Sequence, residues 1–215
     1  MSRLEEVRVF KPGLDGGSGD GLKIFLVGFD PGVTTGWCAM RIQLDSLLSL
    51  GFGGVASAHP DPELFSWAAG YFSGPEPYQC ELMMALLRGT WLHGEGVFDA
   101  GPDSDRFVVA IEGFNLRVLS SDTDLLSPER IWGGFRQLAW RTLRPPLVTQ
   151  LPVDAMRVFT DARLKAMNLW SGPPGKIGDH QRDATRHAGL LARSACDPRW
   201  LISMEERMPW LGENN

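Results

Sequence analysis

Two apolar runs in this chain each end in a single carboxylate, and this pattern constrains the fold more than any other feature. Residues 23–29 (KIFLVGF) lead to Asp30 and a Pro-Gly turn, and residues 107–111 (FVVAI) lead to Glu112. Short continuous apolar runs of this kind are typical of strands that are buried on both faces of a sheet. A carboxylate that ends a buried strand is costly to desolvate unless something compensates it. Asp30 and Glu112 are therefore candidates for a site at the strand ends.

The remaining pattern predicts strands first and then alternating helices and strands. Further strands are predicted at 34–42, at 51–58 (weakened by glycines) and at 147–151. Helices are predicted at 76–93, from Ser127 as N-cap with Pro128 at the first helical position, at a short segment from Pro152, at 160–170 capped by Thr160, and at 180–194. The order β-β-β-α-β-α-β-α-α predicts one α/β or α+β domain with a single mixed sheet.

The composition and the two terminal segments limit the class of protein to which this chain can belong. With 43% hydrophobic and 22% charged residues in 215, the chain has a globular composition. Residues 1–22 are rich in Gly, Ser and Asp and predict a flexible arm, 23–195 form one domain, and 196–215 are a mixed tail. No apolar run approaches the ~18–20 residues that a membrane span requires, and a charged N-terminus argues against secretion. We therefore expect a cytoplasmic protein with no membrane association.

The cysteines and the charge distribution narrow the chemistry further. Cys38, Cys80 and Cys196 lie far apart, which excludes a CxxC zinc or redox pair and argues against a disulfide framework. The net charge of −5 argues by itself against a nucleic-acid partner. However, acidic residues dominate up to residue 112, and basic residues dominate from 113 to 200. A basic face on the C-terminal half, or a solvated helix surface, would give this asymmetry.

A third acid and two histidines lie on the late helix. His180, Asp183 and His187 have a spacing that places them on one helix face. If Asp183 met Asp30 and Glu112, the three carboxylates would suit Mg²⁺ or Mn²⁺, and two such ions can hydrolyse a phosphodiester. An Asx-turn, a loop residue or a helix cap would explain each acid singly. His180 could bind metal, move a proton, position a phosphate or have no role, and His187 is predicted as a packing residue that supports Asp183.

Three motifs in order resemble those of a known family. GFDPGVTTGWCAM (28–40) resembles the first-strand motif of RuvC-like Holliday junction resolvases, VVAIEGF (108–114) resembles the second, and DHQRDATRHAGLLA (179–192) resembles the last. The resemblance covers about residues 23–195 and is strongest to the bacteriophage type. It implies a ribonuclease H-like fold, with a central mixed five-stranded sheet flanked by helices.

The resemblance also implies an activity, a cofactor and partners. It implies a homodimeric endonuclease that uses two Mg²⁺ ions, with Mn²⁺ as a possible substitute, to cut four-way junctions and other branched DNA, in the host cytoplasm if a phage encodes it. Asp30, Glu112 and Asp183 match the metal-binding carboxylates, and His180 matches the fourth catalytic position, for which Asp179 is an alternative. Phe114 lies one position from the family's aromatic wedge, and Arg157, Arg163 and Lys165 correspond loosely to the family's basic helix. Lys176, Arg182 and Arg186 cluster with these basic residues around the third motif, where DNA phosphates would need positive charge, and a solvated surface is the alternative for each of the six.

Two other functions remain open at this level. Asp30-Pro-Gly-Val-Thr also matches the first phosphate loop of actin-like and sugar-kinase-like nucleotide-binding proteins. Those proteins need a second such subdomain and ~350 residues or more, which this chain does not offer. A non-catalytic relative that only binds branched DNA is the other alternative, and the complete acidic set argues against it.

Overall fold

The protein is described by a computed structural model in which the described residues are 8–10, 23–53, 64–88, 106–113, 126–142, 145–170, 172, 175–197 and 199–200. The strands are β1 (Arg8–Phe10), β2 (Lys23–Asp30), β3 (Thr34–Gln43), β4 (Phe65–Ser73), β5 (Arg106–Glu112) and β6 (Leu147–Gln150). The helices are α1 (Glu76–Leu87), α2 (Ser127–Arg141), α3 (Pro152–Val158), α4 (Asp161–Ala166) and α5 (Lys176–Ala195), and a 3-10 turn covers Leu44–Ser46.

The strands form one mixed sheet in the order β1-β4-β3-β2-β5-β6. β2, β3 and β4 pair antiparallel through consecutive connections, while β5 pairs parallel with β2, and β6 pairs parallel with β5. The five strands β2–β6 form the central mixed sheet of an α/β domain, flanked by helices, as the sequence predicted. β1 adds a sixth strand antiparallel to β4, so residues 8–10 of the predicted arm belong to the sheet.

Helices cover both faces of the sheet because the strands alternate their buried side chains. Ile24 and Leu26 of β2 face a core that contains Phe159, Leu164 and apolar residues of α5. Phe25, Val27 and Phe29 face the opposite core, formed with α1 and α2. A strand covered on both faces appears in the sequence as a continuous apolar run, which is why β2 and β5 were predictable.

The strand predicted at 51–58 is wrong in its first three residues, and the sequence did not predict β4. Residues 51–53 form a turn, residues 54–58 lie outside the described residues, and β4 begins only at Phe65. The sequence of β4, FSWAAGYFS, alternates incompletely and contains Ala, Ala and Gly, which are poor strand signals.

The helix ends also differ in places from the predictions. α1 ends at Leu87, and the predicted residues 89–93 lie outside the described residues. α2 begins at Ser127 with Leu126 as N-cap and without a side-chain cap, so the predicted capping by Ser127 is wrong. Thr160 does cap α4, where its hydroxyl accepts a hydrogen bond from the Arg163 backbone N–H. α4 ends at Ala166, and α5 begins at Lys176, four residues earlier than predicted.

Among the described residues, no helix combines the length and apolar character needed to cross a membrane. Cys38, Cys80 and Cys196 are all free thiols.

Candidate active site

Asp30 and Glu112 lie side by side because they end neighbouring parallel strands. The register pairs Phe29 of β2 with Ile111 of β5, and each strand then has one further residue, its carboxylate. Carboxyl ends of parallel strands meet at one edge of a sheet. The two acids that the sequence singled out, 82 positions apart, are therefore brought together by the β2–β5 pairing.

α5 lies close against β2 and β3 because glycines face it. A Cβ placed on Gly36 would lie 2.9 Å from the backbone nitrogen of Gln181 and would overlap the carbonyl oxygen of His180. A Cβ on Gly28 would lie 2.6 Å from the backbone nitrogen of Ala188. This close backbone approach brings the α5 face with His180, Asp183 and His187 to the strand-end carboxylates.

His180 holds the Asp30 carboxylate. Its Nδ1 lies 2.6 Å from Asp30 Oδ2, and Asp30 is only 7% exposed. Burial raises the pKa of Asp30 to about 7, with further increases from the charges of Glu112 and Asp183, although the His180 contact opposes them. The hydrogen bond to Asp30 raises the pKa of His180 in turn, against the effect of its burial. The two side chains thus interact through one short hydrogen bond, and each shifts the pKa of the other.

Asp183 lies beside Arg186, one turn further along α5. The guanidinium of Arg186 bonds Asp183 through Nη1 and Asp161 through Nη2, and its Nε donates to the Phe159 carbonyl oxygen at 3.0 Å. Burial nevertheless raises the pKa of Asp183, and the negative charge of Glu112 adds to this increase. Asp30, Glu112 and Asp183 are therefore electrostatically coupled, as expected of one anionic cluster.

Glu112 is bonded by His187. Its Oε2 lies 3.1 Å from His187 Nε2, and His187 Nδ1 lies 2.9 Å from Oε1 of Gln150, the β6 residue that pairs with Glu112 in the sheet. The sequence predicted a packing histidine that supports Asp183. The structure adds the direct contact with Glu112, which sequence spacing along one helix could not reveal because Glu112 lies on a distant strand.

The three carboxylates have the donor chemistry that a divalent cation needs, but their present orientation does not close around one point. Hard carboxylate oxygens suit Mg²⁺, and a cation would offset both the burial and the repulsion that raise the pKa of Asp30 and Asp183. As the side chains stand, however, no three His, Cys, Asp or Glu residues of the described ranges close around a common point. Each carboxylate is turned to a partner on α5. The donor chemistry therefore fits a cation, and binding requires these carboxylates to share or release their partners.

Of the two candidates for the fourth position, only His180 contacts Asp30. Asp179 is an exposed residue whose carboxylate pairs with Arg182 instead. The imidazole of His180 is one-third exposed, so it is both bonded to the carboxylate cluster and open to solvent.

The predicted DNA-binding residues fall into different environments. Arg163 donates to the carbonyl oxygens of Gly51 and Phe52 and stacks on the ring of Phe159, so its guanidinium serves the packing of the domain rather than a DNA surface. Arg186 is likewise committed to Asp161 and Asp183. These contacts remove both residues from our set of DNA-binding candidates.

Of the other predicted DNA-binding residues, one is exposed and two lie against the ring of Trp170. Arg157 is exposed on α3. Lys165 Nζ and the Arg182 guanidinium lie 4.3 and 4.8 Å from the centre of the Trp170 ring. Lys176 is the first residue of α5, and its side chain lies outside the described residues, as does the whole of Phe114.

The raised pKa values predict how the metal-free protein responds to pH. A carboxyl whose pKa is about 7 when folded and 3.8 in its ordinary state stabilises the fold fully below pH ~4 and loses that contribution as the pH rises through 7. The raised pKa values of His180 and Asp183 act in the same direction. We expect the melting temperature in EDTA to fall between pH 4 and 7.5, by about 2–4 °C for each kcal/mol lost, and to fall less in Asp30→Asn. Equal slopes for the two proteins would contradict this assignment.

Comparisons with known proteins place the chain beside solved structures. No family model matches the sequence, and no curated protein matches it. Thermus thermophilus RuvC in complex with a Holliday junction substrate is similar at 11% identity and a TM-score of 0.44, covering 86% of this chain and 96% of that one. A second structure of T. thermophilus RuvC is similar at 11% identity and a TM-score of 0.43, and the match covers 86% of this chain and 97% of that one. The yeast mitochondrial Holliday junction resolvase Ydc2 is similar at 11% identity and a TM-score of 0.42, and the match covers 91% of this chain and 86% of that one.

Proposed function

We propose that this chain is a metal-dependent, structure-selective DNA endonuclease that cuts four-way junctions and other branched DNA. The observation that carries the proposal is the placement of Asp30, Glu112 and Asp183, from β2, β5 and α5, at one sheet edge, where the charge of Glu112 adds to the raised pKa of both Asp30 and Asp183. Carboxyl groups with raised pKa values, as Asp30 and Asp183 have, are typical of catalytic sites when they lie at such a sheet edge. Packing alone gives no reason to gather three acids there.

Asp30, Glu112 and Asp183 are the residues that would hold Mg²⁺, or Mn²⁺ in its place. When bound, two such ions supply Lewis-acid activation of a water and stabilise the leaving oxygen of a phosphodiester. The protein contributes the rigid placement of the three carboxylates, two on adjacent strands and one on a helix seated by glycine contacts. Rigid placement of the reacting groups accounts for a large share of such catalysis.

His180 is the residue that would handle protons. Its Nδ1 shares a hydrogen bond of 2.6 Å with Asp30, and its ring is partly open to solvent. The Asp30 contact raises the pKa of His180, so the ring carries a proton at neutral pH more often than a free imidazole. A protonated imidazole beside a carboxylate cluster can donate to a substrate oxygen or hold a phosphate.

The proposal extends to the substrate and the assembly. Symmetric resolution of a four-way junction needs two cuts, which a twofold homodimer with one site per subunit would supply. Arg157, Lys165 and Lys176, all in the basic C-terminal half, are the candidates for contact with DNA phosphates, whereas the Arg182 side chain is only 8% exposed and pairs with Asp179. Phe114, adjoining the strand end that carries Glu112, remains a candidate for contact with the junction centre. We place this activity in the cytoplasm, and in the host cytoplasm if the gene is a phage gene.

The test is cleavage of a labelled four-way junction beside a linear duplex of the same sequence, in Mg²⁺ and in EDTA. We expect Mg²⁺-dependent cutting of the junction and little cutting of the duplex. Junction binding without cutting in any metal would indicate a non-catalytic branched-DNA binder. A thermal shift with ATP and Mg²⁺ but none with DNA would instead indicate a nucleotide-binding protein.

Substitutions at two arginines distinguish a side chain that contacts DNA from one that packs within the domain. Arg157→Gln is expected to weaken junction binding and to lower the salt slope of log Kd by about 1 without changing stability, because one phosphate contact is lost. Arg163→Gln is expected to leave the salt slope unchanged and to destabilise the fold by about 1–3 kcal/mol, since three carbonyl oxygens, of Gly51, Phe52 and Val158, lose a charged donor. Fluorescence anisotropy at several salt concentrations and thermal melts measure both. The reverse pattern would show that Arg163 is the phosphate contact.

A further inference from the structure

We infer that His187 is the positioning residue of Glu112, and that Gln150 fixes the ring of His187 for this task. The inference rests on the proposed function, since it assigns Glu112 to the active site. His187 is 1% exposed, and both of its ring nitrogens have a side-chain partner. The carboxylate on one side of the ring and the amide on the other determine which ring nitrogen donates a hydrogen bond and which can accept one.

The hydrogen-bond chemistry places a proton on Nε2. A carboxylate oxygen only accepts hydrogen bonds, so the ring must donate to Glu112 through Nε2. A neutral ring then has an accepting Nδ1, which requires the Gln150 amide to present its NH₂ group, and the two ends of an amide are interchangeable in such an assignment. A charged ring would donate to both partners. In either form, Nε2–H points to Glu112 Oε2.

The backbone explains why the three side chains stay in line. Glu112 and Gln150 are paired neighbours on β5 and β6, and the N–H of Gly113 donates to the Gln150 carbonyl oxygen at 2.7 Å. His187 reaches them from α5, which the glycines seat against the sheet. Binding one oxygen of Glu112 through Nε2–H leaves the other oxygen, Oε1, for the site. Outer hydrogen bonds of this kind orient ligating carboxylates, and their loss costs about 10–100-fold in metal affinity or activity.

α5 therefore supplies a histidine to each strand-end acid. His180 contacts Asp30 and His187 contacts Glu112, with Asp183 between them on the same helix face. The two differ in exposure: His180 is partly open, whereas His187 is enclosed. An enclosed ring cannot exchange protons with a substrate, so orientation of Glu112 is the role that its position allows.

Three substitutions at one position test this. Gln places an amide near the position of Nε2 and keeps a donor for Glu112, Asn places it near Nδ1 and keeps only the Gln150 contact, and Leu removes both. We expect His187→Gln to hold Mn²⁺ within about 3-fold of the unmodified protein, and His187→Asn and His187→Leu to lose about 10–100-fold. Titration of Mn²⁺ without DNA gives this readout, and thermal melts show that each variant is folded. Gln150→Leu, which leaves His187 in place, is expected to show a smaller loss of the same kind.

A spectroscopic measurement needs neither metal nor DNA. The chain has four histidines, so ¹⁵N-histidine labelling gives a simple spectrum in which His187 is assigned by substitution. We expect its Nε2 to carry a proton and this signal to shift in Glu112→Gln but not in Glu81→Gln, a matched change on the exposed face of α1. An unprotonated Nε2 would overturn the inference.

The outcomes separate this inference from the proposed function. Mn²⁺ binding that depends on His187, in a protein that cuts no branched DNA, would support the inference and refute the nuclease. Junction cleavage with unchanged Mn²⁺ affinity in His187→Leu, or equal affinity in the Asn and Gln variants, would overturn the inference and leave the nuclease standing. A protein that binds no Mn²⁺ would overturn both.

Discussion

Asp30→Asn is expected to reduce cleavage of a four-way junction by on the order of 10³-fold or more, which corresponds to about 4 kcal/mol of transition-state stabilisation. Asp30 ends the central strand β2 and is the most enclosed of the three acids. The amide keeps the shape of the carboxyl and can still accept a hydrogen bond from His180, but it carries no charge. Single-turnover cleavage of a labelled junction in saturating Mg²⁺ measures the loss.

Folding and DNA binding are expected to survive this substitution. Burial and two neighbouring acids raise the pKa of Asp30 to about 7, so the ionised carboxylate is a cost to the metal-free fold that the amide removes. We expect Asp30→Asn to melt at a higher temperature than the unmodified protein at pH 8 in EDTA, and to bind the junction with unchanged affinity. Asp45→Asn, the same change at an exposed turn, is the control and should alter neither property. Normal turnover by Asp30→Asn would remove Asp30 from the catalytic site.

The sequence predicted those parts of the site that follow a continuous apolar run or share one helix face. β2 and β5 are buried on both faces, so their apolar runs mark their ends, and the carboxylates at those ends were identifiable as residues. The spacing of His180, Asp183 and His187 showed that they share a helix face. That these three elements meet depends on the β2–β5 register and on the seating of α5, and neither leaves a local signal.

The sequence did not predict what each charged side chain contacts. Arg163 and Arg186 had the same appearance as the exposed Arg157, yet both are bound to carbonyl oxygens within the domain. Gln150 carried no signal at all, because its importance comes from its pairing with Glu112 across β5 and β6. β4 was missed because its small residues weaken the strand pattern. The partner of a side chain cannot be predicted from the sequence when a tertiary contact determines it and the residue type can take several roles.

Gly36→Ala is expected to give the second large effect, because one methyl group at this position meets the backbone of α5. The added Cβ would overlap the carbonyl oxygen of His180 and lie 2.9 Å from the nitrogen of Gln181. Backbone atoms cannot rotate away as a side-chain end can, so the helix itself must move. Overpacking of this kind costs about 3 kcal/mol, or a fall in melting temperature of about 6–12 °C. Thermal melts and urea unfolding measure it.

Gly133→Ala provides a matched control on α2. Its added Cβ would have no atom within 4 Å, and alanine favours a helix over glycine by about 0.5–1 kcal/mol. We therefore expect this variant to melt at a higher temperature than the unmodified protein, with unchanged cleavage. The same chemical change thus has opposite signs at two positions, which separates the close approach of α5 from any general effect of replacing glycine.

The activity of Gly36→Ala shows whether the glycine contact serves the site as well as the fold. Displacing α5 moves His180 and Asp183 away from Asp30 and Glu112 together, and a misplacement of about 1 Å costs catalysis about 10²-fold. Cleavage measured well below the melting temperature should therefore fall by about that factor while the protein remains folded. Gly28→Ala, which meets the same helix further along at Ala184 and Ala188, should lose stability to a similar degree. If Gly36→Ala loses stability but cleaves normally, the distance between α5 and the strand ends does not govern catalysis, and the carboxylates must adjust to one another when the substrate binds.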